Sequence, residues 1–344
     1  MELGIYSFGE LSDEIGEGSA RTVHERFDQI VELARLADAG GLDIIALGEH
    51  HRPDFSVSAP EIVLAAIAGV TSRLRLASGV TVLSSQDPVR VFEQFATLDH
   101  VSNGRAEIFA GRGAFTESFP LFGYDLADYD ALFDEKLRLL LAIRDQPAVT
   151  WSGRFRPALH EATISPRPVQ EKLPIWVAIG GTPASAVRAG LLGLPMMMGF
   201  FAGPEQFVSR VELYHRAAEQ AGHDPAALRL GVSGHMYIGA TSQGAREEFY
   251  PYYSRYFQQS GLPFAANGFP REAYDSWIAH GLPVGSPQQV IDEIMRRVEL
   301  LGIDRFVGQI DVGNLPWAMT RQSLELYMSE VAPVLRRETA PVTP

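Results

Sequence analysis

Cysteine is missing from this chain of 344 residues. Disulfides, thiolate nucleophiles and Cys-ligated metals are excluded with it, and the absence fits a reducing cytoplasm. Basic charge is scarce as well: 29 Lys and Arg stand against 42 Asp and Glu, a formal net charge of -13. Binding along a nucleic-acid backbone needs the opposite, a clustered basic face. Long hydrophobic runs are also lacking. The most apolar stretch, Leu191 to Ala202, is too short to span a bilayer and is broken by Gly193, Pro195 and Gly199. Met1 to Ile5 shows no basic segment leading into an apolar one, so no secretory signal is expected. No GxSxG elbow, Walker loop or HExxH pair occurs, which removes the serine-hydrolase, NTPase and zinc-protease readings.

What is present is a regular alternation. From Leu42 to Phe115, three apolar runs rich in Val and Ile are each followed by a cluster of polar residues. Leu42–Leu47 runs into Gly48-Glu49-His50-His51, Leu74–Leu83 ends in Ser84-Ser85-Gln86-Asp87-Pro88, and Ala106–Ala110 ends in Gly111-Arg112-Gly113. Runs of this kind are strands buried on both faces. Between them, Ala59–Thr71 and Pro88–Val101 carry helical spacing, with Pro60 and Pro88 suited to a first turn.

The same reading places strand one at Leu3–Phe8, with helix one from about Arg21 to Ala39 and a long helix over Asp128–Arg144. Strand five is expected at Ile175–Ile179, strand six at Pro195–Met198, strand seven within Leu228–Ile238 and strand eight at Asp304–Val312. Five prolines between Gln146 and Pro174 rule out a continuous helix and predict an extended or hairpin insertion before strand five. The aromatic-rich helical segments Ala245–Phe257 and Arg271–His280 make a second insertion after strand seven that can cover the site. Ser286 and Pro287 open a helix to Leu301, and the last helix is expected over Pro316–Leu335. A (β/α)8 barrel takes roughly 250 residues before insertions. The leading fold is therefore a TIM barrel with two insertions, one domain over residues 1–335, and a frayed tail over 336–344; a doubly wound open sheet is the alternative.

In a β/α barrel the chemistry lies where the strands end. After strand five, Gly180-Gly181-Thr182-Pro183-Ala184-Ser185 lets a ligand approach the backbone, and a helix start there attracts an anion. Thr182 and Ser185 add hydroxyls. The alternative is an ordinary turn in which Thr182 is the N-cap. Arg112 is placed to meet the same anion, or else to pair with Glu107 or Glu117. His50 and His51 offer a proton donor or base tuned near neutrality, or loop imidazoles bonded to backbone. Glu49 either orients an imidazole or pairs with Arg52. Gly16-Glu17-Gly18 lacks GxGxxG spacing and reads as a loop, and Met196–Met198 reads as barrel core reaching the ligand end.

Taken in order, Glu49-His50-His51, Ser78–Leu83, Asp87-Pro88-Val89-Arg90, Ser102–Arg105, Gly111-Arg112-Gly113, Gly180–Pro183, Val284–Pro287 and Asp311–Pro316 resemble the bacterial luciferase-like flavin-dependent monooxygenases over nearly the whole chain. The resemblance implies a TIM barrel that binds FMN at its C-terminal face, usually as a dimer. It implies that Arg112, Gly180, Gly181, Thr182 and Ser185 hold the FMN phosphate, and that a non-prolyl cis peptide at Gly79-Val80 lies against the flavin ring. His50 matches the family's active-site histidine, which implies that it stabilises or protonates a C4a-peroxyflavin formed from reduced FMN and O2. Oxygen would then pass to a small organic substrate, its pocket lined by aromatics such as Phe115, Phe200, Phe201, Tyr252 and Tyr256. No nicotinamide motif is present, so a separate flavin reductase is the expected source of reduced FMN. Gly111 stands where the luciferase α subunit has a reactive cysteine, so light emission does not follow. Relatives that use the deazaflavin F420, and flavin-binding proteins without turnover, share the fold; retention of His50 beside a phosphate site favours an enzyme.

Overall fold

In the computed structural model, which describes residues 1–11, 18–20, 22–199, 203–259 and 268–340, eight parallel strands close on themselves in sequence order. They are β1 (Glu2–Ser7), β2 (Ile44–Leu47), β3 (Arg75–Val82), β4 (Ala106–Gly111), β5 (Ile175–Ile179), β6 (Met196–Gly199), β7 (Leu230–His235) and β8 (Arg305–Gln309). The last strand returns to the first, pairing Glu2 with Arg305 and Tyr6 with Gln309. The expected barrel is thus the fold, and the open-sheet alternative is not.

Helices between the strands bury one apolar face each against the outside of the barrel, where Leu3, Ile5, Ile45, Leu76, Ile108, Val177 and Phe306 point. Several ends follow from local chemistry. Helix Pro88–Val101 starts with Pro88 in its first turn because the Asp87 carboxylate accepts from the amides of Val89 (2.9 Å) and Arg90 (3.3 Å). Helix Pro287–Leu301 is capped by Ser286 and ends at Gly302, whose φ of 66° is left-handed.

Both insertions lie where expected. Before β5, Ala148–Trp151 pairs antiparallel with Leu159–Thr163. After β7, helices Ser242–Gln259 and Arg271–Ala279 pack an aromatic cluster of their own, with Phe249, Tyr253, Phe257, Phe269 and Tyr274 at its centre. Two boundaries differ from expectation. Strand β8 stops at Gln309, short of Val312, because the chain turns through Gly313 and Asn314, both at positive φ. The last helix is Trp317–Leu326, a π-helical turn at Tyr327–Val331, and Ala332–Glu338. Pro333 has no N–H to give to the preceding turn, and the Ala332 amide reaches back to the Tyr327 carbonyl. Helix continues past Leu335 into the stretch expected to fray: Arg336 donates to the Gly41 carbonyl (2.6 Å) and to Asp43 (2.8 Å). Residues 341–344, and Arg21 at the expected start of helix one, lie outside the described residues.

Inward-pointing positions explain why the barrel is closed at one end and open at the other. The lowest layer is ionic: Arg305, with no exposed surface, donates to Glu107 (2.6 and 3.2 Å) and to Glu2 (2.6 Å), and Arg75 also pairs with Glu107. Above it Ile44, Phe109, Trp176, Met197 and Val307 fill the bore. At the C-terminal end the inward residues of β2 to β6 are small, Ala46, Gly79, Gly111, Ala178 and Gly199, and a cavity opens on that side. Removing one partner of a buried ion pair costs about 3–5 kcal/mol. Glu107→Ala, which leaves Arg305 with the half-buried Glu2 alone, should lower the unfolding free energy by up to about that much, read as a shift of the urea midpoint; a loss within experimental error would show that the ionic layer does not carry barrel closure.

Candidate active site

The cavity at the C-terminal end has a volume of about 540 Å³, within the roughly 300–1,000 Å³ range of small-molecule sites. Its walls come from all eight strands, and its lining is mainly apolar with polar groups at two ends. On one wall the Gly79-Val80 peptide is cis, as expected from the resemblance, and the β3–β4 register shifts there.

One polar end is built from β4, β5 and the helix that follows β5. Arg112 lies 4.9 Å from the Tyr129 ring centroid and donates to the Thr182 hydroxyl (3.2 Å). It also pairs with Asp130, and with neither Glu107 nor Glu117. The Asp130 side chain is 72% exposed, and an exposed pair of this kind is worth only about 0–1 kcal/mol, so an incoming dianion can take the guanidinium over. Thr182 precedes helix Pro183–Leu191, yet its side chain caps no amide. Thr182 is thus the N-cap by position only: its hydroxyl turns toward Arg112, Pro183 has no N–H to offer, and the Ser185 amide donates to the Thr182 carbonyl (3.0 Å).

Of the residues expected at this corner, Arg112, Gly180 and Thr182 line the cavity, as do Gly79 and Val80. A Cβ built on Gly180 would meet nothing within 4 Å, so the glycine leaves open space where a ligand can approach the backbone. Gly181 and Ser185 do not line it: the Gly181 carbonyl accepts from Arg210 (3.0 Å), and Ser185 is buried in the first helical turn.

The other polar end is His50. Its ring stacks on Phe55 (4.2 Å between centroids, 21° between planes) and meets the edges of Phe8 and Phe115 at 4.5 and 5.1 Å. Its Nδ1 is 3.2 Å from Glu117 Oε1, and among the described residues its Nε2 makes no hydrogen bond within the protein. Burial acts to raise the Glu117 carboxyl, but the bond to His50, neighbouring amides and the imidazole charge outweigh it and hold the group below the usual carboxylate range. The two histidines diverge, as adjacent residues at a strand end must. His51 Nε2 is 2.9 Å from Glu49, whose carboxylate also accepts from the Val82 amide (2.8 Å) and the Gln86 side chain (2.9 Å). Glu49 thus orients His51 and ties β2 to β3, while Arg52 pairs with Asp54 instead.

Among the lining residues not singled out from sequence are Tyr6, His235 and Gln309, in register on β1, β7 and β8. His235 and Gln309 end their strands and Tyr6 stands one residue before the end of its own, which is the signal the sequence offers. Glu117 was visible solely as a partner for Arg112. Among the aromatics, Phe115 and Tyr256 line the cavity, whereas Tyr252 packs against the aromatic cluster; Phe200, Phe201, Gly16 and Glu17 lie outside the described residues. Met197 reaches the cavity, and Met196 and Met198 face the outer core. Among the described residues no group of three His, Asp or Glu could hold a metal ion, and no helix is long and apolar enough to cross a membrane.

The closed β/α barrel thus carries an arginine corner and an apolar cavity at the C-terminal rim, the layout of a barrel enzyme. Residues 1–305 match the luciferase-like monooxygenases, and the chain belongs to that family. It is 25% identical over 341 residues to the oxygenase component of the flavin-dependent trigonelline monooxygenase of Acinetobacter baylyi, covering 91% of each chain. The structure of the monooxygenase RslO1 from Streptomyces bottropensis superposes with a TM-score of 0.85 at 26% identity, covering 97% of this chain and 99% of that one. The oxygenating constituent of 3,6-diketocamphane monooxygenase from Pseudomonas putida, solved in complex with FMN, shares the fold with a TM-score of 0.76 at 23% identity, covering 97% and 98%.

His235 gives a pH dependence to this end of the barrel. Burial pushes its imidazole down to about 3, so the folded protein keeps it neutral while the unfolded chain protonates it near 6.5. The unfolded state then binds more protons between these values, and stability falls as pH drops through this window, by up to about 1.4 kcal/mol per unit from this residue. Urea unfolding of the wild type and His235→Gln at pH 7 and pH 5 should show a smaller pH loss in the variant; parallel losses would remove His235 as the source.

Proposed function

We propose that this protein is the oxygenase of a two-component system, which takes reduced FMN from a separate flavin reductase and uses O2 to oxygenate a small, mostly apolar organic substrate. The observation that carries this reading is the Arg112–Thr182 corner opening onto an apolar cavity with His50 at its far side. The name of the Acinetobacter relative, an oxygenase component, supports the reductase as a partner.

In this reading Arg112, the Thr182 hydroxyl and the backbone of Gly180 hold the FMN phosphate, with the start of helix Pro183–Leu191 adding its dipole. Gly79 and Val80 support the flavin ring. When bound, reduced FMN supplies the two electrons with which O2 is activated. The aromatic packing around His50 excludes water, and Glu117, held as a carboxylate, favours the imidazole tautomer with a proton on Nδ1. Nε2 then faces the cavity as a site that takes or returns one proton. The second insertion covers the mouth through Tyr256 and Phe257.

Anaerobic titration tests the reading. Reduced FMN should bind the wild type in preference to reduced F420. Arg112→Ala should weaken FMN roughly ten- to a hundredfold, since each charge-assisted hydrogen bond is worth about 1.5–3 kcal/mol. His50→Ala should leave FMN affinity within about threefold and, on admission of O2, release more hydrogen peroxide. Preference for F420 would redirect the proposal to hydride transfer, and unchanged peroxide release would remove His50 from it.

Assembly as a homodimer in the cytoplasm belongs to the same proposal. Ile62 is 68% exposed on helix Pro60–Ala68, and Val70 and Val101 lie exposed on the same pair of neighbouring units. Light scattering should give the mass of two chains for the wild type and of one for Ile62→Glu; a monomeric wild type would refute the dimer.

A further inference from the structure

On the wall between the two polar ends, Gln309 points into the bore two residues above Val307, with no exposed surface. Its Nε2 donates to Glu10 Oε1 at 2.6 Å, whereas among the described residues its Oε1 has no hydrogen-bond partner although it is buried. A buried carbonyl oxygen without a donor is costly unless a ligand supplies one. The surrounding wall is consistent with a ligand there: Tyr6 and His235 flank Gln309 in register and both line the cavity.

The amide is held from behind by a buried network. Glu10, itself buried, stands beside Asp311, which accepts from the Ser7 hydroxyl (2.6 Å) and from Arg26 (2.6 Å). The single guanidinium of Arg26 lies 3.7 Å from Glu10 and so faces two carboxylates. Burial and the neighbouring Asp311 push the Glu10 carboxyl well above the usual carboxylate range. The Asp311–Pro316 segment, legible as a motif in the sequence, thereby reaches the cavity through Glu10 and Gln309.

We propose that Gln309 is a ligand-reading residue: its amide oxygen accepts a hydrogen bond from an uncharged N–H or O–H of the molecule seated in the cavity, and Glu10, which takes the amide N–H, is the positioning residue that holds the side chain there. This rests on the cavity being the ligand site. The donor belongs either to the reduced flavin ring or to the organic substrate, and the two sources are separable. The acceptor discriminates against analogues that lack the donor, because those leave it unpaired.

The test uses the full chain with Gln309→Met, which keeps the length of the side chain and removes the amide, and Glu10→Gln as a second variant should the first fail to fold by circular dichroism. Two probes are titrated anaerobically: reduced FMN alone, and the shape-matched pair phenol and toluene without FMN. If the flavin supplies the donor, Gln309→Met weakens reduced FMN about tenfold and leaves phenol and toluene unchanged. If the substrate supplies it, FMN affinity stays the same and phenol alone loses about tenfold. Glu10→Gln, which can offer the amide either partner, shifts the same probe in the same direction by less. Wild-type affinities for both probes in the folded variants would overturn the inference. Failure of the wild type to bind reduced FMN would instead count against the proposed function, and the phenol–toluene comparison would still decide the role of Gln309.

Discussion

The site depends on the barrel being plugged from below. Arg305, held between Glu107 and Glu2 and lying 4.3 Å from the Trp176 ring centroid, closes the N-terminal end of the bore. The Arg305 and Glu107 charges lie out of water but are paired, which is the condition under which they can be tolerated. With that end sealed and the middle filled by Phe109, Trp176 and Met197, the small inward residues of the top layer produce a pocket and not a pore. The position of the cavity is therefore a consequence of where the chain places bulk and where it places glycine along each strand.

Above the plug, two carboxylates divide the work around the paired histidines. Glu49 sits on the rim strand and spends its acceptors on His51, Gln86 and the Val82 amide, so it is a fastening between β2 and β3. Glu117 comes from the loop after β4 and meets His50 across the aromatic ring cluster. Adjacent residues in sequence are thus assigned to different tasks by partners from different strands. That separation keeps the imidazole facing the cavity free of the structural bonds that fix its neighbour.

Much of this is legible in the sequence. Each strand announces itself as a Val- and Ile-rich run ending in turn residues, and parallel strands buried on both faces leave few other readings. Arg112, Gly180, Thr182 and His50 were also readable, because they cluster at strand ends where a barrel exposes its chemistry, whereas the Gly79-Val80 peptide was expected from the family resemblance alone. What was hidden is long-range pairing. Glu117 and Asp130 reveal their partners only when loops from neighbouring units meet, and Gln309 looks like one polar residue in an apolar strand until Glu10, near the opposite end of the chain, is seen behind it. The π-helical turn before Pro333 was missed for a different reason: the apolar spacing continues through it, and only the missing amide alters the hydrogen bonds.

Gly111 and Val80 illustrate how tightly the rim is fitted. A Cβ added to Gly111 would lie 2.7 Å from a methyl of Val80, closer than real side chains approach, and Val80 lines the cavity on its other side. Bulk gained at one of these positions must be given up at the other or taken from the ligand's space. The two residues therefore behave as one dial for pocket shape, and a change of substrate size in this scaffold is expected to travel as a paired substitution on β3 and β4.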